Sequence, residues 1–364
     1  LASAHAAGDW IEGPLAESRV LCQFADIRRR RYACFLSFPP SRSHSTQYAP
    51  CPALCEASGQ PLRWPAKAAG ALARGIERLY HRSMIPGDYH VHTRYCDGIS
   101  PPRAMVEQAL ELGLSWLGFS AHAPLPFSTG WNMEAGKVQA YLDELGGLAS
   151  EFRGRLGILI GMEADWIDGP AGPALSGQAW APSLDYRIGS VHFVNAPDGY
   201  AMTVDSPEEE FLRDMATHSP GGARPLVEAY YAGLAAMARR GGFDIIGHFD
   251  LPRKNNQGDR LFSEGQAWYR DAAMEALEAA AASGAVLEVN TGGMARGRTD
   301  TPYPSAWLLR EFRARGVPAL VSSDAHSPGL LMAHADEALA ALRAAGYREA
   351  VYLTDKGWRG YLLE

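Results

Sequence analysis

Asp88-Tyr89-His90-Val91-His92, with Cys96-Asp97-Gly98 close behind, is the stretch on which the reading of this chain turns. Alternation along a strand puts His90 and His92 on one face and Val91 on the other. Two adjacent imidazoles at a strand end make a poor core and a good half of a metal site. Asp97 follows on a turn that Gly98 permits. A half-buried strand with two solvent-facing histidines is the plain alternative. What argues against it is that further His and acidic residues recur downstream, each just after an apolar run.

Those runs alternate with helical stretches, the pattern of β/α units and a mainly parallel sheet. Strands are predicted at 88–92, 116–120, 156–163, 185–192, 243–248, 285–290 and 318–323, with a further apolar run at 350–353 that could pair at the end. Helices are predicted at 101–114, 134–152, 225–239, 264–282, 305–315 and 330–345. Pro101-Pro102 suits a helix start, and Gly284, Gly316 and Gly346 suit the ends of the last three. The fold class is therefore α/β, and seven units in sequence favour a closed barrel over a doubly wound open sheet. No Gly-rich phosphate loop follows the first strand, which counts against the usual nucleotide folds. The stretch 169–206, rich in Gly, Pro, Ser and Asp, has the composition of long active-site loops.

Residues 1–83 are of another kind. They hold Arg28-Arg29-Arg30-Arg31, scattered Ala and Pro, and no sustained period before a possible helix at 66–80. Eleven Lys and Arg against six Asp and Glu make them basic, whereas 84–364 carry 23 basic and 35 acidic residues. All ten methionines lie from Met84 onward. Residues 1–83 are accordingly expected to be a poorly ordered or non-native extension, with 84–364 the working domain. Mass spectrometry of the protein from its own cell tests this: peptides from 1–83 would refute it. An acidic body disfavours nucleic acid as the main partner. No apolar run approaches the roughly 20 residues of a membrane span, and the opening residues show no leader pattern. Of the cysteines (Cys22, Cys34, Cys51, Cys55 and Cys96), Cys51 and Cys55 have no second pair at zinc spacing, so free thiols in a reducing cytoplasm are expected.

The metal-capable residues fall in order on the strand ends. His90, His92 and Asp97 follow the first strand, His122 the second, Glu163 the third, His192 the fourth, His248 the fifth, and Asp324 and His326 the seventh. Strand C-terminal ends are where β/α barrels assemble their sites. Six imidazoles and three carboxylates are too many for one ion and suit two or three. The nitrogen and oxygen mix suits Zn, Mn or Fe rather than an all-oxygen Mg site.

This ordered set resembles the motifs of the PHP (polymerase and histidinol phosphatase) superfamily, in particular its monofunctional histidinol-phosphate phosphatase branch. The likeness runs from about Gly87 to the C-terminus. It implies a distorted (β/α)7 barrel with a trinuclear centre. One ion would take His90, His92, Glu163 and Asp324; a second, bridged by Glu163, would take His192 and His248; a third would take Asp97, His122 and His326. Gly247-His248-Phe249-Asp250-Leu251-Pro252-Arg253 resembles the branch's phosphate-binding segment, which makes Arg253 a phosphate contact; a surface ion pair is its plain alternative. The segment from Glu288 to Ser305 resembles the one supplying a second Arg, and both Arg296 and Arg298 are available. The implied reaction is hydrolysis of L-histidinol phosphate by metal-activated hydroxide attack on phosphorus, with Asp250 a candidate to protonate the leaving alkoxide. The alternatives are another PHP phosphoesterase, a metal-stabilised binding module, and an amidohydrolase barrel, whose bridging lysine has no counterpart here.

Overall fold

The computed structural model describes residues 85–167 and 178–363 in full, and the backbone of three strands before them. The chain divides into two units, Leu1–Arg78 and Leu79–Glu364. In the first, β1 (Ile11–Leu15), β2 (Ser18–Asp26) and β3 (Arg31–Ser37) form an antiparallel meander, where the sequence reading expects no regular element. The possible helix at 66–80 lies outside the described residues, as does 168–177 in the loop-rich stretch.

The second unit is built on seven parallel strands in sequence order: β4 (Gly87–Asp88), β5 (Trp116–Phe119), β6 (Gly157–Asp165), β7 (Tyr186–Ser190), β10 (Ile245–Ile246), β11 (Val286–Asn290) and β12 (Ala319–Ser322). A hairpin of β8 (Phe193–Asn195) and β9 (Ala201–Thr203) interrupts the series after β7. The first and last strands meet: His92 N–H donates to Ala325 O (2.9 Å) and Ala325 N–H to His90 O (3.0 Å). All seven predicted strands are present, and this seam makes the sheet a nearly closed barrel rather than an open one.

The helices are α1 (Pro102–Leu112), α2 (Val138–Glu151), α3 (Glu208–His218), α4 (Ala223–Arg240), α5 (Ala267–Ser283), the single turn α6 (Gly292–Ala295), α7 (Ala306–Ala314) and α8 (Ala335–Ala344). α1 begins after Pro101 and ends on Gly113 at φ 77°, burying Met105, Val106 and Ala109. Among the described residues no helix is long and apolar enough to cross a membrane. The run at 350–353 does not extend the barrel sheet: β13 (Glu349–Thr354) pairs only with β14 (Gly357–Leu362). Leu353 of this hairpin packs with Tyr89, Leu159, Tyr186, Ile188, Ile245, Val286 and Leu320, and Tyr89 Oη donates to Leu353 O (2.8 Å). Apolar fill thus occupies one end of the barrel and leaves polar groups for the other.

Tyr186 fixes that fill. Its hydroxyl lies 2.6 Å from Tyr89 O and 3.0 Å from Phe119 O, and a Cβ at Gly161 would come within 2.5 Å of its ring. The pinned ring cannot retreat, so Gly161→Ala is expected to cost about 2 kcal/mol, as overpacking does, read as a lower denaturant midpoint at unchanged slope.

Candidate metal centre

Glu163, near the end of β6 and 1% exposed, is the middle of the polar end. Its Oε2 lies 3.0 Å from His122 Nδ1, 3.1 Å from His90 Nε2 and 3.5 Å from His92 Nε2. Its Oε1 lies 3.0 Å from His248 Nε2 and 3.6 Å from His192 Nε2, and accepts from Ser190 Oγ (2.6 Å). Five imidazoles from four strand ends therefore face one carboxylate, His90 and His92 sharing the first. Each arrives because its strand runs out where the alternation points inward, and His122 even bridges Glu163 in parallel register. Asp324 Oδ1 lies 3.3 Å from His92 Nε2 and 3.8 Å from His90 Nε2. At the rim, Asp97 Oδ2 and His326 Nε2 are 3.1 Å apart, and Asp97 Oδ1 is 3.8 Å from His122 Nε2.

All nine sequence-predicted ligands are thus brought together. Their ligand atoms fall into close groups: His90, His92 and Asp324; Glu163, His192 and His248; and Asp97, His92, His122 and His326. A fourth group, His122, Asp165 and His192, is new. His90 Nε2, His92 Nε2, His122 Nδ1 and His248 Nδ1 are buried with no hydrogen-bond partner among the described residues. Buried polar atoms are rarely left so; three of these four crowd one carboxylate oxygen, which is what ligands around a divalent cation do. The donor set fits such ions.

The charges are strongly coupled. Burial works against ionisation of Glu163, but His90, His122 and His192 hold it well below the usual carboxylate range. Burial likewise opposes Asp324, which Arg296 and His90 hold low, and Asp97, which His326, His122 and His92 hold low. Burial would lower His192, yet Asp165 and Glu163 raise it to about 10. His92, buried between the rings of His326 and His122, falls to about 3.

Two supporting carboxylates escape the sequence reading. Asp165 accepts from His192 Nδ1, and Glu288 lies 2.6 Å from His90 Nδ1. Each directs the other ring nitrogen at Glu163, as carboxylates behind metal-binding histidines do. The available signal was a charged residue on the inward face of an apolar strand.

The arginines separate. Arg296 reaches the cluster, donating to Asp324 Oδ2 (2.7 Å) and Asp324 O (3.1 Å). Arg298 instead lies 3.8 Å from Glu208 and shares with Arg253 a cavity of about 220 Å³. Arg253 is tied to Glu264 Oε1 (2.9 Å), Thr301 Oγ1 (2.7 Å) and Asp250 Oδ2 (3.4 Å). Asp250 is fully buried, which raises it to about 6, and accepts from the Ser305 amide (2.7 Å). Beside the cluster Trp131 sets its ring edge on His122 and stacks on Phe193 at 17°, with 5.5 Å between ring centroids.

Residues 88–292 match the PHP domain family. The chain is 34% identical over 273 residues to a probable histidinol-phosphatase of Deinococcus radiodurans, covering 73% of this chain and 95% of the relative. It is 29% identical over 261 residues to the histidinol-phosphatase of Bacillus subtilis, covering 68% and 95%. Among solved structures, a histidinol phosphatase candidate of Listeria monocytogenes superposes with a TM-score of 0.58 at 20% identity, covering 69% of this chain and 99% of that one. The histidinol phosphate phosphatase of Lactococcus lactis, solved with zinc, L-histidinol and phosphate, gives 0.50 at 20% identity, covering 76% and 100%. Both superpositions show the same fold.

Proposed function

Because the chain belongs to the PHP domain family, we propose that it is a metal-dependent phosphomonoesterase that hydrolyses L-histidinol phosphate to L-histidinol and phosphate in histidine biosynthesis. What carries this reading is the buried Glu163 carboxylate, faced by five imidazoles, in a chain that spans 95% of the length of a histidinol-phosphatase and of a relative named a probable one. We place the reaction in the cytoplasm and the working domain at 84–364.

The ligands we assign are His90, His92, Glu163 and Asp324 for one ion, Glu163, His192 and His248 for a second, and Asp97, His122 and His326 for a third. Bound there, divalent ions such as Zn, Mn or Fe supply Lewis acidity, which ionises water near neutral pH and neutralises phosphate charge. The chain's own residues do the rest. Arg296 presents a planar fork beside the cluster, suited to a phosphate oxygen. Its loss as Arg296→Ala is expected to lower kcat/KM about a hundredfold, the range of a charged hydrogen bond, and Arg296→Lys to recover little of it. The Trp131 and Phe193 faces offer a flat wall to the imidazole of the alcohol. Trp131→Ala is expected to raise KM roughly tenfold, an aromatic contact's worth, at unchanged metal content. Arg253 is held by Glu264, Thr301 and Asp250, so we assign Arg253 and Asp250 to the cavity wall through their mutual pair, in place of the phosphate contact and proton donor that the resemblance implies.

The deciding experiment is phosphate release by the full chain supplied with Mn, Zn or Fe, on L-histidinol phosphate beside sugar, nucleotide and aryl phosphates. Selective turnover of histidinol phosphate is expected. Broad, weak activity would make the protein a general PHP phosphoesterase, and inactivity of the loaded protein would refute the reading. The same assay on a Met84 start tests the domain boundary: undiminished turnover is expected.

A further inference from the structure

Glu288, in the middle of β11, is fully buried, and four donors surround its carboxylate. His90 Nδ1 (2.6 Å) and Ser322 Oγ (2.5 Å) meet Oε1. The His248 backbone N–H (2.6 Å) and Asn290 Nδ2 (3.0 Å) meet Oε2. An ionised carboxylate offers about four acceptor sites and no donor, so donors alone fill Glu288. Two of them cannot reverse. One is a backbone amide. The other is fixed because Asn290 Oδ1 accepts the Gly292 N–H (2.8 Å).

The consequence falls on His90. A lone pair on Nδ1 would be repelled by the oxygen 2.6 Å away, so Nδ1 carries a proton. In the neutral form that binds a cation the imidazole has only that one proton, which leaves Nε2 bare. Nε2 is the atom that lies 3.1 Å from Glu163 and has no hydrogen-bond partner. We propose that Glu288 is a positioning residue that fixes the proton of His90 on Nδ1 and so keeps Nε2 free to bind a divalent cation. This rests on the reading of His90 as a ligand. The same carboxylate holds the His248 backbone, so it steadies two elements of the cluster from one place.

Glu288→Gln exposes the mechanism because it keeps the shape. Its carbonyl must take the Oε2 side, where both donors are fixed, and its NH2 then faces His90 Nδ1 and Ser322. The serine hydroxyl rotates to accept. The imidazole can accept only by carrying its proton on Nε2, where the cation should bind.

The experiment combines nitrogen NMR of histidine-labelled protein with zinc titration against a competing chelator. Wild type is expected to show His90 Nδ1 protonated. Glu288→Gln is expected to lose that proton and to bind zinc about 10–100-fold more weakly, as loss of a ligand's supporting partner does. Ser322→Ala, which removes a donor and leaves the His90 bond, is expected to keep both near wild type. A retained Nδ1 proton in Glu288→Gln overturns the proposal directly. A lost proton with unchanged zinc affinity overturns it through its premise, removing His90 from the ligand set. Should the Gln variant not fold, the zinc-loaded wild type decides: a proton on His90 Nε2 overturns the proposal, and its absence beside a protonated Nδ1 supports it.

Discussion

Glu163→Ala is expected to abolish turnover, by roughly a thousandfold or more, and to release bound cations. Glu163 faces five imidazoles through two oxygens 3.0–3.6 Å away. Alanine leaves those rings converging on a central void, with Asp324 to one side and Asp165 and Glu288 behind the rings. Removing one partner of a buried ionic network costs about 3–5 kcal/mol, and that range corresponds to a factor between a hundred and a few thousand in cation affinity. Glu163→Gln separates charge from packing: it fills the same space, accepts from Ser190, and still cannot neutralise a cation. Both variants should therefore fail alike, in metal content by elemental analysis and in phosphate release. Full stoichiometry in the alanine variant would show that Glu163 bridges nothing.

Removing the metals from the wild type should have the second-largest effect, and it should extend beyond activity. Without cations, the carboxylates of Asp97, Glu163 and Asp324, with Asp165 and Glu288 behind them, must balance six crowded imidazoles by themselves. An ion bound at a thousand times its dissociation constant contributes about 4 kcal/mol of stability. For a unit of this size, 1 kcal/mol moves the melting temperature by about 2 °C. Chelation is thus expected to lower it by about 8 °C for each ion so bound and to eliminate phosphate release, and Zn, Mn or Fe added back should restore both. A melting temperature indifferent to chelator would mean that the cluster is held by protons and hydrogen bonds alone.

Much of the barrel was legible because its signals are local. Each strand is a short apolar run, and each ligand stands where that run stops, so order along the chain translated directly into position around the rim. What escaped depends on partners distant in sequence. Asp165 and Glu288 look like ordinary acids until His192 and His90 are placed against them. Arg296 and Arg298 are two residues apart and indistinguishable by type; only α6, a single turn before Arg296, aims one at Asp324 and leaves the other toward Glu208. α3 escaped because its inward face is small: Phe211 alone is fully buried, with Leu212 and Met215 partly so. The β13–β14 hairpin escaped because strand propensity at 350–353 does not say which edge it joins.

The seam between His90–His92 and Ala325 has a consequence for how the molecule is made. Its two sides come from opposite ends of the domain: Asp88 accepts from the Ser323 backbone across 235 positions of sequence. Such distant segments meet late, after nearer contacts have offset the entropy of closing so long a loop. His90 and His92 on one side, and Asp324 and His326 on the other, complete the cluster only when that meeting occurs. A ribosome-bound chain that has not yet exposed Asp324 has seven of its nine proposed ligands and no finished pocket. Metal capture is therefore a late fastener, and the appearance of tight zinc uptake during synthesis would time the moment at which the barrel shuts.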